Sequence, residues 1–295
     1  IEMSATHVRM MHKALEQMNI KLQHVITDIT GKSGQEIIQS IISGERNPLK
    51  LASLCDGRIN KNKKDSIIKS LEGVWKEEHI FELEQSFTIY HMYHKKIVEC
   101  DIKIENHLRE KSGTTKDPNE KMKAKSNKNN LNFEAKEILQ NIIGTDLSEI
   151  FGITTSNAIE IISEVGLDMN KWHSAKHFTS WLNLAPNNKI SGGKILSSRI
   201  PKKKNHAGQI FKMAAYAVQR SKNWLALFFH RIKAKKGAPK AIVATARKIA
   251  TIFYKLVKEK ISFSPIPIEK YSDSFRQQQI KKLKRQAQTL GFQLV

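Results

Sequence analysis

Acidic residues are almost missing from one quarter of this 295-residue chain. From Asn187 to Lys260 there are 19 Lys or Arg and a single acid, Glu259, so this stretch holds +18 of the formal net charge of +22. An imbalance that local is hard to square with a purely structural helical protein and points to a polyanionic partner. The sequence also lacks any apolar run of about 18 residues and any signal-peptide or lipidation pattern. Nucleic acid is therefore the expected partner rather than a membrane. Cysteine is equally scarce. Cys55 and Cys100 stand alone, with no Cys or His at a ligand spacing, which argues against a disulfide framework or structural zinc and for a reducing cytoplasm. The eleven histidines do not change this. His91 and His94 read as seam or surface residues of a long helix, and no metal site is expected in this chain.

What is present centres on Trp181 to Lys204, WLNLAPNNKISGGKILSSRIPKKK. An apolar helix end leads through a Pro-Asn-Asn turn into a Ser-Gly-Gly-Lys loop, and then into hydroxyls and cations: Ser197, Ser198, Arg199, Lys202, Lys203 and Lys204, followed by Asn205. Gly192 and Gly193 would let a backbone approach a bulky ligand and expose its N–H groups, as phosphate loops do. Ser191 would then be a small nucleophile within a phosphate-binding surface made by Gly192, Gly193, Lys194, Ser198, Arg199, Lys202, Lys203, Lys204 and Asn205. The same letters also spell an ordinary turn whose hydroxyl bonds its own backbone.

The N-terminal part reads as architecture. Val8, Met11, Leu15, Met18, Leu22, Val25 and Ile29 recur at three- and four-residue steps, which predicts one unbroken heptad helix ending at a Gly31 cap. Shorter helices are expected from Ser33 to Ile42, closed by Gly44, and from Pro48 to Cys55, with Pro in the first turn. A second heptad helix runs from Trp75 to Leu108, interrupted by the polar His94 and Asp101. Two such helices imply a helical hairpin, a homo-oligomer joined through them, or amphipathic helices packed in one globule.

Lys111 to Asn132 is poor in apolar residues and rich in Lys, Asn, Ser and Gly, as flexible linkers are. Beyond it the pattern predicts helices over Ala135–Ile143 and Ala158–Val165, the second ending at Gly166, with Gly152-Ile153-Thr154-Thr155 between them. Helix, tight turn, helix is the outline of a helix-hairpin-helix, in which Gly152, Thr154 and Thr155 would turn backbone N–H groups toward a phosphate. It is equally that of a plain αα-hairpin. Helices follow at Ala175–Leu184, His206–Arg220, Trp224–Lys235 and Pro239–Lys258. In the last, Ile242, Ala246, Ile249, Phe253, Leu256 and Val257 form a core stripe and lysines cover the rest. Pro265 and Pro267 break the chain before a basic helix from Phe275 to Leu290.

GITTSNAIEIISEVGLDMNKWHSAKHFTSWLNLAPNNKISGGK, then Arg199, Lys202–Lys204 and Asn205, then GAPKAIVATARKI, resembles the C-terminal half of bacterial insertion-sequence transposases of the DEDD/serine type, relatives of the Piv invertase. The upstream NIKLQHVITDITGKSGQEIIQSIISGERNPLKLASL is similar to the helical middle region of that family. The resemblance implies that Ser191 is the serine of the family's S-[AG]-G-K loop, attacking a DNA phosphate and holding it covalently. The physics agrees with that role, since a serine hydroxyl needs activation and Lys194, Arg199 and Lys202–Lys204 could neutralise charge at phosphorus. It also implies an N-terminal RuvC-like acidic domain, expected to be missing here because the sequence opens inside the first heptad helix. Mg²⁺ is expected only with that domain. Asp28, Asp101 and Asp168 are read as structural or surface residues.

The expected fold is therefore all-α. A coiled-coil-like arm over residues 1–110 is joined by a linker over 111–132 to a DNA-handling domain over 133–262, with a basic helix and tail over 263–295. The expected function is DNA transposition on double-stranded DNA, with a structured guide RNA as a further partner that the resemblance implies. The alternative is a truncated, inactive nucleic-acid-binding chain that modulates an intact transposase.

Overall fold

Apolar side chains at three- and four-residue spacing carry the first helix, α1, from Glu2 to Gln17, and there it stops. Asn19 takes a left-handed φ of 58°. The chain that leaves it is captured by a distant segment, with Lys21 N–H donating to Ser70 O at 2.9 Å and Val74 N–H to Met18 O at 2.8 Å. The continuous helix expected through Ile29 is thus corrected to a helix, a 3₁₀ turn at Leu22–His24 and a loop. The heptad residues Met11, Leu15, Met18, Leu22 and Ile29 are all buried. They point into the core of their own unit, so this seam is not free for a partner helix. Three-and-four spacing recorded burial, and a backbone reversal can satisfy it as well as a coiled coil can.

The structure is a computed structural model that describes residues 1–115, 131–198, 200 and 205–291; for residues 58–62 and 195 only the backbone course is described. Among the described residues there are twelve α-helices and one two-stranded ribbon, a predominantly all-α fold. The chain forms two compact units, one built on residues 1–104 and one on residues 133–291.

In the first unit α1 packs with α2 (Lys32–Ile42), α3 (Pro48–Ser53), α4 (Gly57–Ser70) and the start of α5 (Glu77–Ser112). Gly31 turns out to be the N-cap of α2, with an ordinary φ of −73°, and Gly44 carries the left-handed φ of 98° that follows its end. Asn47 caps α3 by accepting from Leu49 N–H, with Pro48 in the first turn. Leu83, Phe87 and Tyr90 bury the first turns of α5, and His91 and His94 flank them, each 4.4 Å from an aromatic ring. Cys55 is buried, which pushes its thiol up, and the two cysteines form no disulfide. The helix α5 runs two residues past the expected start of the linker, and residues 116–130 of that linker lie outside the described residues.

The second unit comprises α6 (Ala135–Ile143), α7 (Thr155–Val165), α8 (Ala175–Trp181), the ribbon β1 (Lys189–Ser191) and β2 (Lys194–Ser197), α9 (His206–Val218), α10 (Trp224–Lys236), α11 (Ala238–Glu259) and α12 (Ile268–Thr289). The core stripe of α11 packs against α9 and α10. Phe178, Phe211 and Phe253 are wholly buried at its centre, with Phe253 5.5 Å from Phe211 and 6.4 Å from Phe178 between ring centroids. Asp146 starts a 3₁₀ turn at Leu147–Glu149. Burial raises the pKa of its carboxyl, but Lys136 at 2.8 Å and two bonds from Ser148 outweigh burial and hold it below the usual value. Its contribution to stability is therefore present at neutral pH and lost only on acidification through that lowered value. The final helix α12 has no buried residue and is tied down near its start, where Arg231 lies 4.3 Å over Phe275 and Tyr271 lies 5.5 Å from Trp224.

Thr154 closes a capping box with Asn157 at the start of α7, and Gly152 before it has φ 85°. A Cβ on Gly152 would lie 2.5 Å from Ala214 O and 2.7 Å from Val218 Cγ2, both on α9. This glycine therefore exists for backbone contact between α9 and the lead-in to α7. Gly152→Ala combines left-handed strain with overpacking, worth about 1–3 kcal/mol, so the melting temperature of the second unit should fall by roughly 2–12 °C. Calorimetry on the two proteins measures it, and an unchanged melting temperature would contradict the packing.

Candidate nucleic-acid interface

The expected Ser-Gly-Gly-Lys loop is a hairpin. The strands β1 and β2 pair antiparallel, with Ser191 opposite Lys194, Ile190 opposite Ile195 and Lys189 opposite Ser197, and a bulge between Lys189 and Ile190. Gly192 and Gly193 make the two-residue turn with φ 55° and 74°, the positive pair that matches the right-handed twist of a hairpin. A Cβ on either glycine would meet nothing within 4 Å. The backbone hand requires them, and the space over them is open. Pairing puts Ser191 and Lys194 on one face, which Lys189 shares by alternation, and the bulge brings Ser197 opposite Lys189. Ser191, both glycines and Lys194 are exposed, as is Ser198 just beyond. On this ribbon Ile190 is 62% and Leu196 70% exposed.

Arg199 and Lys202–Lys204 lie outside the described residues. The chain returns at Asn205, whose Oδ1 accepts from Gly208 N–H at 2.8 Å while its Nδ2 donates to Trp181 O at 3.1 Å. One amide thus caps α9 and ties it to the end of α8, so both ends of the segment from 182 to 204 are anchored on adjoining helices. Gly208 permits that closeness: a Cβ there would sit 2.1 Å from Leu182 O. The sequence reading named Asn205 as a phosphate contact and missed its cap and Gly208. The signal was available, since Asn three residues before Gly, ahead of the apolar IF of Ile210 and Phe211, is an N-cap pattern. Trp172 and Trp181 meet at a tilt of 55° with ring centroids 5.3 Å apart, and Trp172 O accepts from Tyr254 O–H at 2.8 Å.

The electrostatics follow from which acids are missing. Among the described residues, Lys13, Lys50, Lys96, Arg109 and Lys136 all pair with carboxylates. No described Lys or Arg from Lys189 to Lys260 does so, and among the described residues the ion pair that reaches this stretch is His206 with Glu164 at 3.4 Å. Lys194 on the ribbon, Lys233, Lys235 and Lys236 on α10, and Lys240, Lys248, Lys255 and Lys258 on α11 are exposed. Such cations hold mobile counterions that a phosphate backbone can displace. Of the three hairpin residues, Thr154 is exposed, Thr155 is partly so, and Gly152 is turned against α9. Asp28 and Asp168 accept hydrogen bonds in turns, and Asp101 is buried. Among the described residues no three His, Cys, Asp or Glu side chains are grouped to hold a metal ion. The acids among the described residues do not fit Mg²⁺. Among the described residues no helix is long and apolar enough to cross a membrane.

Residues 144–230 match the model of the Transposase IS116/IS110/IS902 family. The match runs from the C-cap of α6 into α10 and takes in the ribbon, Asn205 and all of α9. It supports an IS110-type transposase and a role in DNA transposition. No curated protein and no solved structure matches the chain.

Asn205→Ala removes both the cap and the tie to Trp181, which should lower stability by about 1–2 kcal/mol. Thermal unfolding should register this, while Ser191→Ala, at an exposed position, should leave the melting temperature unchanged. Equal melting of Asn205→Ala and the parent protein would show that the junction is held by something else.

Proposed function

We propose that this chain handles DNA in a serine-type insertion-sequence transposase, with Ser191 as its nucleophile. The observation that carries the reading is the placement of Ser191. It is exposed beside the tip of a ribbon, directly opposite Lys194, inside the family match and within a stretch whose described cations have no carboxylate partner. DNA phosphates would dock on the unpaired lysines, which position the duplex without reading its sequence. Ser191 Oγ would then attack a phosphorus. The Oγ–P bond forms, the bond from phosphorus to one deoxyribose oxygen breaks, the hydroxyl proton passes to solvent, and the departing oxygen takes up a proton. Attack on that phosphoserine by a hydroxyl of another strand would reverse the step and join new ends. Lys194 would offset the charge that builds on the phosphoryl oxygens. The same surface suits the phosphates of a structured guide RNA. Gly192, Gly193 and Ser198 would lie along the phosphate path, with Arg199 and Lys202–Lys204 extending it.

Anisotropy with duplex DNA across a salt series tests the binding. A log–log slope of magnitude well above about one is expected, since many counterions are released; a flat response would remove the electrostatic argument. The nucleophile is tested with random-sequence duplexes carrying bridging phosphorothiolates, whose sulfur departs readily once phosphorus is attacked. A detergent-resistant adduct should form with the parent protein and with Ser197→Ala and Ser198→Ala. It should vanish in Ser191→Ala, whose DNA affinity stays within about twofold, one neutral hydroxyl adding little beside many phosphate contacts. Salt-dependent binding with no adduct in any protein would favour a chain that binds DNA and modulates an intact transposase.

A further inference from the structure

The helix α11 carries a second stripe besides the one it buries. Lys248, Thr251, Ile252 and Lys255 stand at i, i+3, i+4 and i+7, so they share one face, while Ile249, Phe253 and Val257 turn into the core. That second face lines a cavity of about 320 Å³, together with Trp224 and the segment 261–266. The segment is seated by Phe263, whose ring meets Phe151 edge-on at 5.4 Å. The same segment continues into a neighbouring cavity of about 390 Å³ that also touches Tyr271. Trp224 is 3% exposed, and its indole N–H has no acceptor among the described residues. A buried donor left without an acceptor is costly.

We propose that this cavity receives a single nucleotide, with the base between Trp224, Ile252 and Phe263 and the phosphate on Lys248 and Lys255. The chemistry selects this ligand. An inorganic anion would need the lysines and leave the aromatic and aliphatic walls unused. A neutral apolar molecule would leave two exposed cations with nothing to neutralise. A nucleotide presents a flat ring and a phosphate a few bonds apart, and stacking on aromatic side chains is indifferent to base identity. A base within a duplex is stacked and paired on all sides, so the cavity accepts one that is unpaired or swung out. This rests on the nucleic-acid reading above and deepens it: the duplex docks on the unpaired lysines, and the cavity holds an unpaired nucleotide of the kind that strand cleavage and rejoining expose. A free mononucleotide has the same chemistry, so the test separates the two sources.

The full chain is titrated with a short oligothymidine single strand carrying one central 2-aminopurine, and with a duplex of the same length. The expected result is a marked change in 2-aminopurine emission on binding the single strand. Thr251→Phe and Ser264→Phe, which fill the cavity from the helix and from the segment respectively, should abolish that change while duplex affinity and melting temperature stay as they were. Lys248→Ala with Lys255→Ala should weaken single-strand binding at least about fivefold more than the equal-charge control Lys235→Ala with Lys236→Ala, because only the first pair borders the cavity. Adenosine monophosphate that reverses the emission change shows that free nucleotides enter too; failure to reverse it assigns the site to strand-borne nucleotides. An emission change that persists in both filled variants, or equal losses from the two lysine pairs, overturns the proposal and leaves duplex binding standing. Absence of any nucleic-acid binding overturns both readings.

Discussion

Two backbones lie against α9 at distances that only glycine allows. Gly152 meets the carbonyl of Ala214, and Gly208 meets the carbonyl of Leu182. Those two contacts fix α7 and α8 on one helix, α11 packs along it, and Asn205 anchors the return of the ribbon segment at its first turn. Close-packed interiors transmit displacement instead of absorbing it. A shift of α9 would therefore move the junction at Trp181, the ribbon beyond it and the lysine face of α11 together. The small side chains of α9, Ala207, Ala214 and Ala215, all buried, belong to the same requirement.

Charge sets the second constraint. Unneutralised cations repel one another, and a unit that carries so many without carboxylate partners gives up some stability of its compact state. The apolar core of Phe178, Phe211 and Phe253 offsets that repulsion, and Arg231 shows one local solution, its guanidinium set among the rings of Phe228, Tyr271 and Phe275. In the first unit Lys13, Lys50 and Lys96 have acidic partners that offset their charge locally.

The sequence was most legible where a single local signal decides an element. Ala135–Ile143 was read to the residue; the core stripe of α11 is buried, with Ile242 partly so, and Gly44 and Pro48 punctuate their helices as read. It was least legible where a distant partner decides. Nothing near Asn19 announces that Ser70 and Val74 will capture the chain there, so seven residues in heptad spacing passed for one helix. Gly31 misled for the same reason: a glycine between two apolar runs fits a C-cap and an N-cap equally, and the chain direction after it decides. At the site, Ser191 and its glycines stood out as letters, but their pairing as a hairpin came from strand register, which four residues cannot specify. The cavity beside α11 was beyond sequence reading, because its wall comes from the proline-flanked segment that was read only as a break.

The ribbon that carries Ser191 is two short strands with Ile190 and Leu196 largely in solvent, and such a hairpin has little stability of its own. Its ordering must then be completed by what it touches. Under the proposed chemistry, a hydroxyl held on so thinly supported a finger acquires a fixed line of approach only once a strand lies against it. Water striking phosphorus elsewhere gains nothing from the finger, and a chance encounter with an unrelated phosphate seldom lasts long enough to organise it. Fidelity in such an arrangement is a property of timing: reaction waits on residence, and substrates that leave quickly leave intact.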